Sequence, residues 1–471
     1  MMRTTISIVT VWRPTVRTTD DLQATVTLDP VKQQDRTVSA ALHLEVTFTL
    51  PPQDEHLPHA LEAHVHRAGL EVQRALFRAL IQHADGQLVL AARAGQGGQG
   101  VQLRGTRPFH FKTVFGTVSV DRIRVTHRGD GRTEVPSAVA WDTAHREEIT
   151  RGLREAICDQ MLDESAGAAR LDVAQVAGEP DLVCRSTVLN VVHEEGAALL
   201  GAIRARAALA LAAPERPAAP VGEAVGPPVI VELDEVKTKA QPHTGRKEVW
   251  LFTAVVRLAG WCHLLVDSVQ EGLTRQLAAL LRRLGVTAGR RPLLVLADGA
   301  GWIRAWYEAL TVPGKAMLLC WYHLRKRCYQ KVSGSGLPKA EKRPLLGRVL
   351  GALWEGKVDE AVQALRQARD AASRPGWLDE LINYLEARRP YLADYKARKE
   401  AGQPLASHRV EKWNDWAVSE RCKGRGMSWT PEGVAALAVL EAARRNGELD
   451  AWRRDRQLPP LKVPRSPRRA A

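Results

Sequence analysis

The sequence predicts an α/β domain that is interrupted by an all-helical segment and preceded by a mixed α/β region and a helical region. After residue 228, apolar β-branched runs alternate with helical patterns in the order βββαβαβ. Residues from about Leu324 to Ala406 then have an almost purely helical pattern. Between Ala213 and Pro228, five prolines in 16 residues separate the helical region from the strand-rich one, which indicates an interdomain linker.

Composition favours a globular protein with a polyanionic partner. The chain has 471 residues, enough for about three domains. Apolar residues make up 45%, which excludes a disordered or collagen-like chain, and 67 basic residues against 53 acids give a net charge of +14. No apolar run approaches the roughly 20 residues of a membrane span, and the N-terminus lacks the core of a signal peptide. We therefore expect a cytoplasmic, nucleoid-associated protein without membrane partners.

The patterns divide the chain into seven segments. We expect a mixed N-terminal region (1–136), a helix-turn-helix region (137–212), a linker (213–228), the first part of a catalytic domain (229–323), a helical insertion (324–406), the last part of that domain (407–450) and a basic, extended tail (451–471).

The N-terminal half contains short strands and amphipathic helices. The expected elements are a strand at Ser7 to Val11, a helix near Leu57 to His83, a loop at Ala94 to Gly100, and helices at Glu148 to Asp163 and Leu171 to Val176. A further helix follows, which Ser186 caps in this prediction. This would leave Arg185, Thr187 and Asn190 at its accessible N-terminal end, as in a recognition helix that reads base edges. An ordinary three-helix bundle explains the pattern equally well.

The second half has the element order of a ribonuclease H-like domain, although a fold alone does not fix a function. The expected elements are strands at Val229 to Val236, Val249 to Leu258 and Trp261 to Asp267, a helix at Leu273 to Leu284, a strand at Leu293 to Ala297, a helix at Trp302 to Leu310 and a strand at Ala316 to Cys320.

Three acids of this domain are candidate metal ligands. Asp234 interrupts an apolar strand, and Asp298 ends the fourth strand, where α/β sheets open into a crevice. The two strands are neighbours in the ribonuclease H order, so their carboxylates would repel unless a divalent cation neutralises them. Glu411 is the candidate third acid. The alternatives are that Asp298 caps the next helix, that Asp234 pairs with Lys237 or Lys239, and that Glu411 is a solvated charge.

Four motifs resemble those of bacterial insertion-sequence transposases of the DDE class, from the group whose catalytic domain is split by a helical insertion. They are Asp298 to Ile303 (DGAGWI), Cys320 to His323 (CWYH), Arg421 to Trp429 (RCKGRGMSW) and Phe111 to Val118 (FKTVFGTV). The similarity extends over roughly Phe109 to Trp452. One departure is Cys320, where many relatives have an aspartate, so that this residue is either functional or a buried strand residue.

The resemblance implies a metal-dependent DNA-cutting enzyme. Asp234, Asp298 and Glu411 become its metal-binding triad, with Mg²⁺ as cofactor and Mn²⁺ as a substitute. His323, expected at the end of a strand, becomes a further catalytic residue. The implied partners are double-stranded DNA of the element ends and of the target, and a second copy of the chain in a dimer or larger assembly. Candidate DNA contacts are Arg325, Lys326, Arg327, Lys423 and Arg425.

Two other functions fit the same pattern. One is a non-catalytic DNA-binding regulator or decayed transposase, against which the presence of all three acids argues. The other is a stand-alone nuclease of the same fold, against which the long N-terminal part argues.

Overall fold

The computed structural model describes residues 22–29, 31–34, 37–48, 57–94, 100–143, 147–214, 226–461 and 463. The chain forms two compact units, Met1–Val191 and Val192–Ala471. The predicted strand at Ser7 to Val11 lies outside the described residues, as do positions 95–99 of the predicted loop and 215–225 of the predicted linker. No helix in the described ranges is both long enough and apolar enough to cross a membrane.

The first unit contains short strand pairs, a long helix and a four-stranded sheet. Its elements are β1 (Leu22–Leu28), β2 (Lys32–Gln34), β3 (Thr37–Ser39), β4 (Leu42–Phe48), α1 (Leu57–Ala94), β5 (Val101–Thr113), β6 (Gly116–His127), β7 (Thr133–Glu134), α2 (Pro136–Ala140), β8 (Glu147–Ile149), α3 (Arg151–Asp163) and α4 (Ala166–Val176). The sheet has the order β7-β6-β5-β8, and its hairpin β5-β6 contains the motif at Phe111 to Val118.

Three helix predictions for this unit were wrong in detail. Helix α4 begins at Ala166, five residues before the predicted Leu171. Helix α1 continues to Ala94 instead of ending near His83. The helix expected from Glu148 begins at Arg151, because residues 147–149 pair in parallel with β5 as strand β8.

Helix α5 (Arg185–Ala212) begins in the first unit. Ser186 was predicted to cap it, but it lies within its first turn, and its hydroxyl is 3.0 Å from the thiol of Cys184. The connection from α4, residues 177–184, is longer than the three- or four-residue turn of a helix-turn-helix. The helix-turn-helix therefore stays a prediction.

The second unit is built on a mixed five-stranded sheet of order β11-β10-β9-β12-β13. Its elements are β9 (Val229–Lys239), β10 (Glu248–Leu258), β11 (Trp261–Asp267), α6 (Gln270–Arg283), β12 (Leu293–Ala297), α7 (Gly301–Ala309) and β13 (Lys315–Leu319). Strands β9, β10 and β11 are antiparallel, and β12 pairs in parallel with both β9 and β13. Each bound is within three residues of the predicted one, since β-branched runs with Gly-containing turns define these strands.

Helices follow the sheet and share its core. They are α8 (Trp321–Gly334), α9 (Lys339–Trp354), α10 (Val358–Ala368), α11 (Gly376–Ala387) and α12 (Tyr395–Glu400). Leu324, Val349 and Leu381 belong to the same buried cluster as Val231 and Leu296 of the sheet, so the helical segment packs on the sheet instead of forming a separate core.

The chain ends in further helices: α13 (His408–Asn414), a π-helical turn (Asp415–Ser419), α14 (Glu420–Cys422), α15 (Pro431–Arg445) and α16 (Leu449–Asp455). The tail was predicted to be extended and solvated from residue 451, which is wrong for its first part. Residues 451–455 are helical, Trp452 is buried, and Leu461 joins the core of the second unit. Apolar side chains therefore anchor this segment despite its basic composition.

Candidate functional site

Two carboxylates lie side by side where β9 and β12 end their pairing. The last register pair of these parallel strands is Leu233 opposite Ala297, so Asp234 and Asp298 are the next residues on each strand. Neighbouring strands lie about 4.8 Å apart. Burial and, to a smaller extent, the charge of Asp298 raise the pKa of Asp234 to about 6, against the lowering effect of the Glu235 backbone, His323 and Asn414. A second negative charge therefore acts on an already desolvated carboxylate.

The loop after β12 holds Asp298 in place. Its Oδ1 accepts a hydrogen bond of 2.8 Å from the backbone N–H of Ala300, just before α7, so the predicted helix-start interaction exists and uses one of its two carboxylate oxygens. Gly299 has a φ of +80°, where a side chain would also meet Leu319 and Arg388. Tyr384 of the helical segment donates a hydrogen bond to the carbonyl of Asp298. This turn therefore requires glycine at position 299, and the hydrogen bonds from Ala300 and Tyr384 hold Asp298 in place.

The third acid meets a histidine and a cysteine. The metal-ligating atoms of Cys320, His323 and Glu411 all lie within 4.8 Å of one another, a group that does not include Asp234 or Asp298. His323 Nδ1 is 3.4 Å from Glu411 Oε1, and both atoms are buried without a hydrogen bond among the described residues. His323 lies in the first turn of α8, not at the end of a strand as predicted.

Burial and charge set the protonation of this group. Burial raises the pKa of Glu411, an effect that the charge of His323 opposes. Burial lowers the pKa of His323, but the hydrogen bond and charge of Cys320, and then the charges of Glu411 and Asp234, outweigh it and raise that pKa to about 9. His323 is therefore a cation at neutral pH and faces the Glu411 carboxylate. Cys320 is fully buried, and its sulfur accepts a hydrogen bond from the Ser407 backbone.

Glu232 is a site residue that the sequence analysis missed. It is fully buried, and its Oε2 accepts hydrogen bonds from the backbone N–H groups of Arg409 (2.8 Å) and Val410 (3.1 Å). Its other oxygen forms an ion pair of 2.9 Å with Arg257. A carboxylate bound to the free N–H groups of a helix start stabilises that end, so Glu232 fixes α13 and thereby Glu411. An acid at an inward position of an apolar strand was the signal available in the sequence.

Asn414 links the two halves of the site. Its side-chain amide donates a hydrogen bond of 2.9 Å to Asp234 Oδ2, and it lies three residues after Glu411 on α13. The alternative that Asp234 pairs with Lys237 does not hold, because the ammonium of Lys237 lies 2.6 Å from Glu248. Asp234 therefore bonds to the helix that carries Glu411.

The predicted DNA contacts differ in their surroundings. The side chains of Arg325, Lys326, Arg327, Lys423 and Arg425 are all exposed, and the guanidinium of Arg327 also lies 4.6 Å from the ring centroid of Tyr384. The neighbouring Trp429, whose backbone exchanges hydrogen bonds with Lys239 and Gln241, extends the pairing at the end of β9. In the first unit, Arg185 and Asn190 are exposed at the start of α5, and Thr187 is half-buried beside Cys184.

Comparison with known proteins gives little guidance. No protein-family model matches the sequence, and none of the curated proteins matches it. The structure is similar to a Drosophila P element transposase strand transfer complex, with a TM-score of 0.25 and 11% identity over 68% of this chain and 84% of that chain. At this identity and TM-score the similarity does not identify a function.

Proposed function

We propose that this protein is a DNA transposase of the DDE class with a ribonuclease H-like catalytic domain, in which Asp234, Asp298 and Glu411 form the metal-binding triad. The observation that carries the proposal is the convergence of three separate elements. The pairing of two parallel strands ends at adjacent aspartates, and α13 carries the half-buried Glu411 one turn from the asparagine that bonds to the first of them. Desolvated carboxylates in contact repel each other and need a positive partner.

The residues present fit a hard divalent cation such as Mg²⁺. The ligand atoms are carboxylate oxygens, which Mg²⁺ prefers, and among the described residues Glu411 Oε1 has no hydrogen bond, only the contact of 3.4 Å with His323. Asp234, Asp298 and Glu411 would hold the metal, which when bound supplies charge stabilisation for in-line displacement at phosphorus. The three carboxylates would fix the position of the metal, and the protein would contribute positioning and no covalent chemistry.

The remaining residues of the site have positioning roles in this proposal. Glu232 and Arg257 fix the start of α13. His323, a cation at neutral pH, neutralises Glu411 and can donate a hydrogen bond to a phosphate oxygen once Glu411 turns towards the other two acids. The net charge of +14 and the exposed Lys423 and Arg425 favour binding of the DNA backbone.

The proposal is tested with the full chain and the DNA that flanks its own reading frame. With Mg²⁺ or Mn²⁺ we expect strand cleavage at the element ends and joining of the free 3′ end to a target plasmid. We expect no cleavage with chelator, and none by Asp234→Asn, Asp298→Asn or Glu411→Gln, each of which should still bind the end DNA. Asp415→Asn is the matched control, since this exposed acid follows the same helix.

Three outcomes would contradict the proposal. Cleavage in excess chelator removes the metal mechanism, and near wild-type cleavage by any one triad variant removes that residue from the triad. Equal cutting of any duplex without joining to a target identifies a stand-alone nuclease, and binding without cleavage by the wild type identifies a regulator.

A further inference from the structure

The exposed tyrosines of this protein are concentrated on one helix. All six tyrosines of the chain lie in the described ranges, and four of them are at most 9% exposed: Tyr307, Tyr384, Tyr391 and Tyr395. The other two, Tyr322 and Tyr329, are 52% and 45% exposed. Both are on α8, seven residues apart, so they lie on the same face of the helix two turns from each other.

Basic side chains lie between these two rings. Arg325 and Lys326 are exposed, and their spacing of three and four residues from Tyr322 puts them on the same face. The guanidinium of Arg325 is 5.7 Å from the ring centroid of Tyr329. Helix α8 contains no acidic residue. We call the surface formed by Tyr322, Arg325, Lys326 and Tyr329 the α8 face.

The α8 face begins at the candidate active site. The ring of Tyr322 lies 5.5 Å from the ring of His323, in an edge-to-face arrangement. His323 in turn lies 3.4 Å from Glu411, whose pKa also responds to the charge of Lys326. A chain of phosphates lying on this face therefore ends beside the carboxylates.

We propose that the α8 face binds an unpaired DNA strand next to the phosphodiester that enters the site, with bases stacked on Tyr322 and Tyr329 and phosphates paired with Arg325 and Lys326. Aromatic side chains interleaved with cations are typical of single-strand binding, because every base offers a flat face and every nucleotide a negative charge. Bases within a duplex stack on one another and leave no face free for tyrosine. The proposal rests on the proposed function, since it assigns the substrate of that same site.

The test measures binding of the full chain in chelator, where no cleavage occurs. The probes are a single-stranded oligonucleotide of mixed sequence that carries one 2-aminopurine, and the blunt duplex of the same sequence. We expect Tyr322→Ala and Tyr329→Ala each to weaken single-strand binding about 5- to 150-fold, equivalent to about 1–3 kcal/mol for one stacked base, and duplex binding less than about twofold. Tyr322→Phe should retain the binding and the quenching of 2-aminopurine fluorescence.

Trp250→Ala is the matched control, because Trp250 is also exposed and also lies beside a cation, Lys237, at 5.2 Å. It should leave both affinities unchanged. Each variant should unfold at the wild-type temperature, because these side chains are exposed. Equal losses on single strand and duplex, unchanged affinity of Tyr322→Ala, or full retention of quenching by that variant would overturn the proposal. If the wild type cuts DNA but the tyrosine variants bind single strands as tightly as the wild type, the role of the α8 face is refuted and the proposed function is not. If the wild type never cuts DNA, the proposed function is refuted, whatever the α8 face binds.

Discussion

The burial of Asp234 predicts that removing its charge stabilises the protein in the absence of metal. The carboxylate is desolvated and lies beside Asp298, and its pKa is raised to about 6 from an ordinary value of 3.8. At pH 8 it is therefore ionised in surroundings that disfavour its charge. Asp234→Asn preserves the shape and an oxygen that can accept the hydrogen bond from Asn414. The variant should therefore be more stable at pH 8 than the wild type, although it is expected to be inactive.

The magnitude follows from linkage between protonation and folding. A raised native pKa means that the folded state holds its proton more tightly, so stability is fully present below about pH 4 and is lost as the pH rises through about 6. A shift of about two pKa units corresponds to about 3 kcal/mol. Because the asparagine amide must also be desolvated, we expect Asp234→Asn to gain about 1–3 kcal/mol at pH 8 and close to nothing at pH 4.

Thermal unfolding in chelator at both pH values measures this effect, with the exposed Asp415→Asn as control. Mg²⁺ at ten times its Kd should then raise the stability of the wild type by about 1.4 kcal/mol and that of Asp234→Asn much less. The reasoning fails if Asp234→Asn is no more stable than the wild type at pH 8. It also fails if Mg²⁺ stabilises the variant and the wild type equally.

Further predictions concern positioning and DNA contacts. Glu232→Gln leaves the partly buried Arg257 without its counter-ion and should destabilise the fold by about 3 kcal/mol in chemical unfolding, whereas an unchanged unfolding midpoint would show that the ion pair does not stabilise the fold. Asn414→Ala removes a donor that lowers the pKa of Asp234, so the pH of half-maximal cleavage should move upward, and a downward shift would contradict this. Asn190→Ala should cost about 1–3 kcal/mol on the cognate end and little on scrambled duplex, and equal losses would make it a backbone contact. Lys423→Gln should reduce the salt slope by about one unit without changing sequence preference.

Local patterns predicted the sheet well because its strands are short apolar runs with glycine in the intervening turns. These patterns failed where contacts with residues distant in the sequence determine the length of an element. Helix α1 continues past His83, and the buried Asp85 on this added part accepts a hydrogen bond of 2.8 Å from the backbone of Ile123 in β6. No periodicity within residues 57–94 contains that information.

The site was predictable to the same extent. Asp234 and Asp298 could be placed together because strand order and strand ends follow from the element pattern. Glu232 could not be separated from its neighbours, because three acids of one strand look alike until their partners are known. Those partners, the backbone groups at the start of α13, lie 177 and 178 residues away along the chain. The contact between His323 and Glu411 could not be predicted from the sequence either. It depends on how the helices between the two residues bring the chain back to the sheet.

The bond between Glu232 and the start of α13 also has a consequence for biosynthesis. Strand β9 emerges from the ribosome long before residues 409 and 410, so the carboxylate of Glu232 has no N–H donors from α13 until seven further helices, α6 to α12, have been made. Contacts of such long sequence separation form late in folding. A nascent or truncated chain that ends within α8 to α12 therefore contains both aspartates but no third acid. Under the proposed function, such a product would bind DNA through its earlier segments without cutting it, and the position of Glu411 in the chain would make cleavage the last property that the protein acquires.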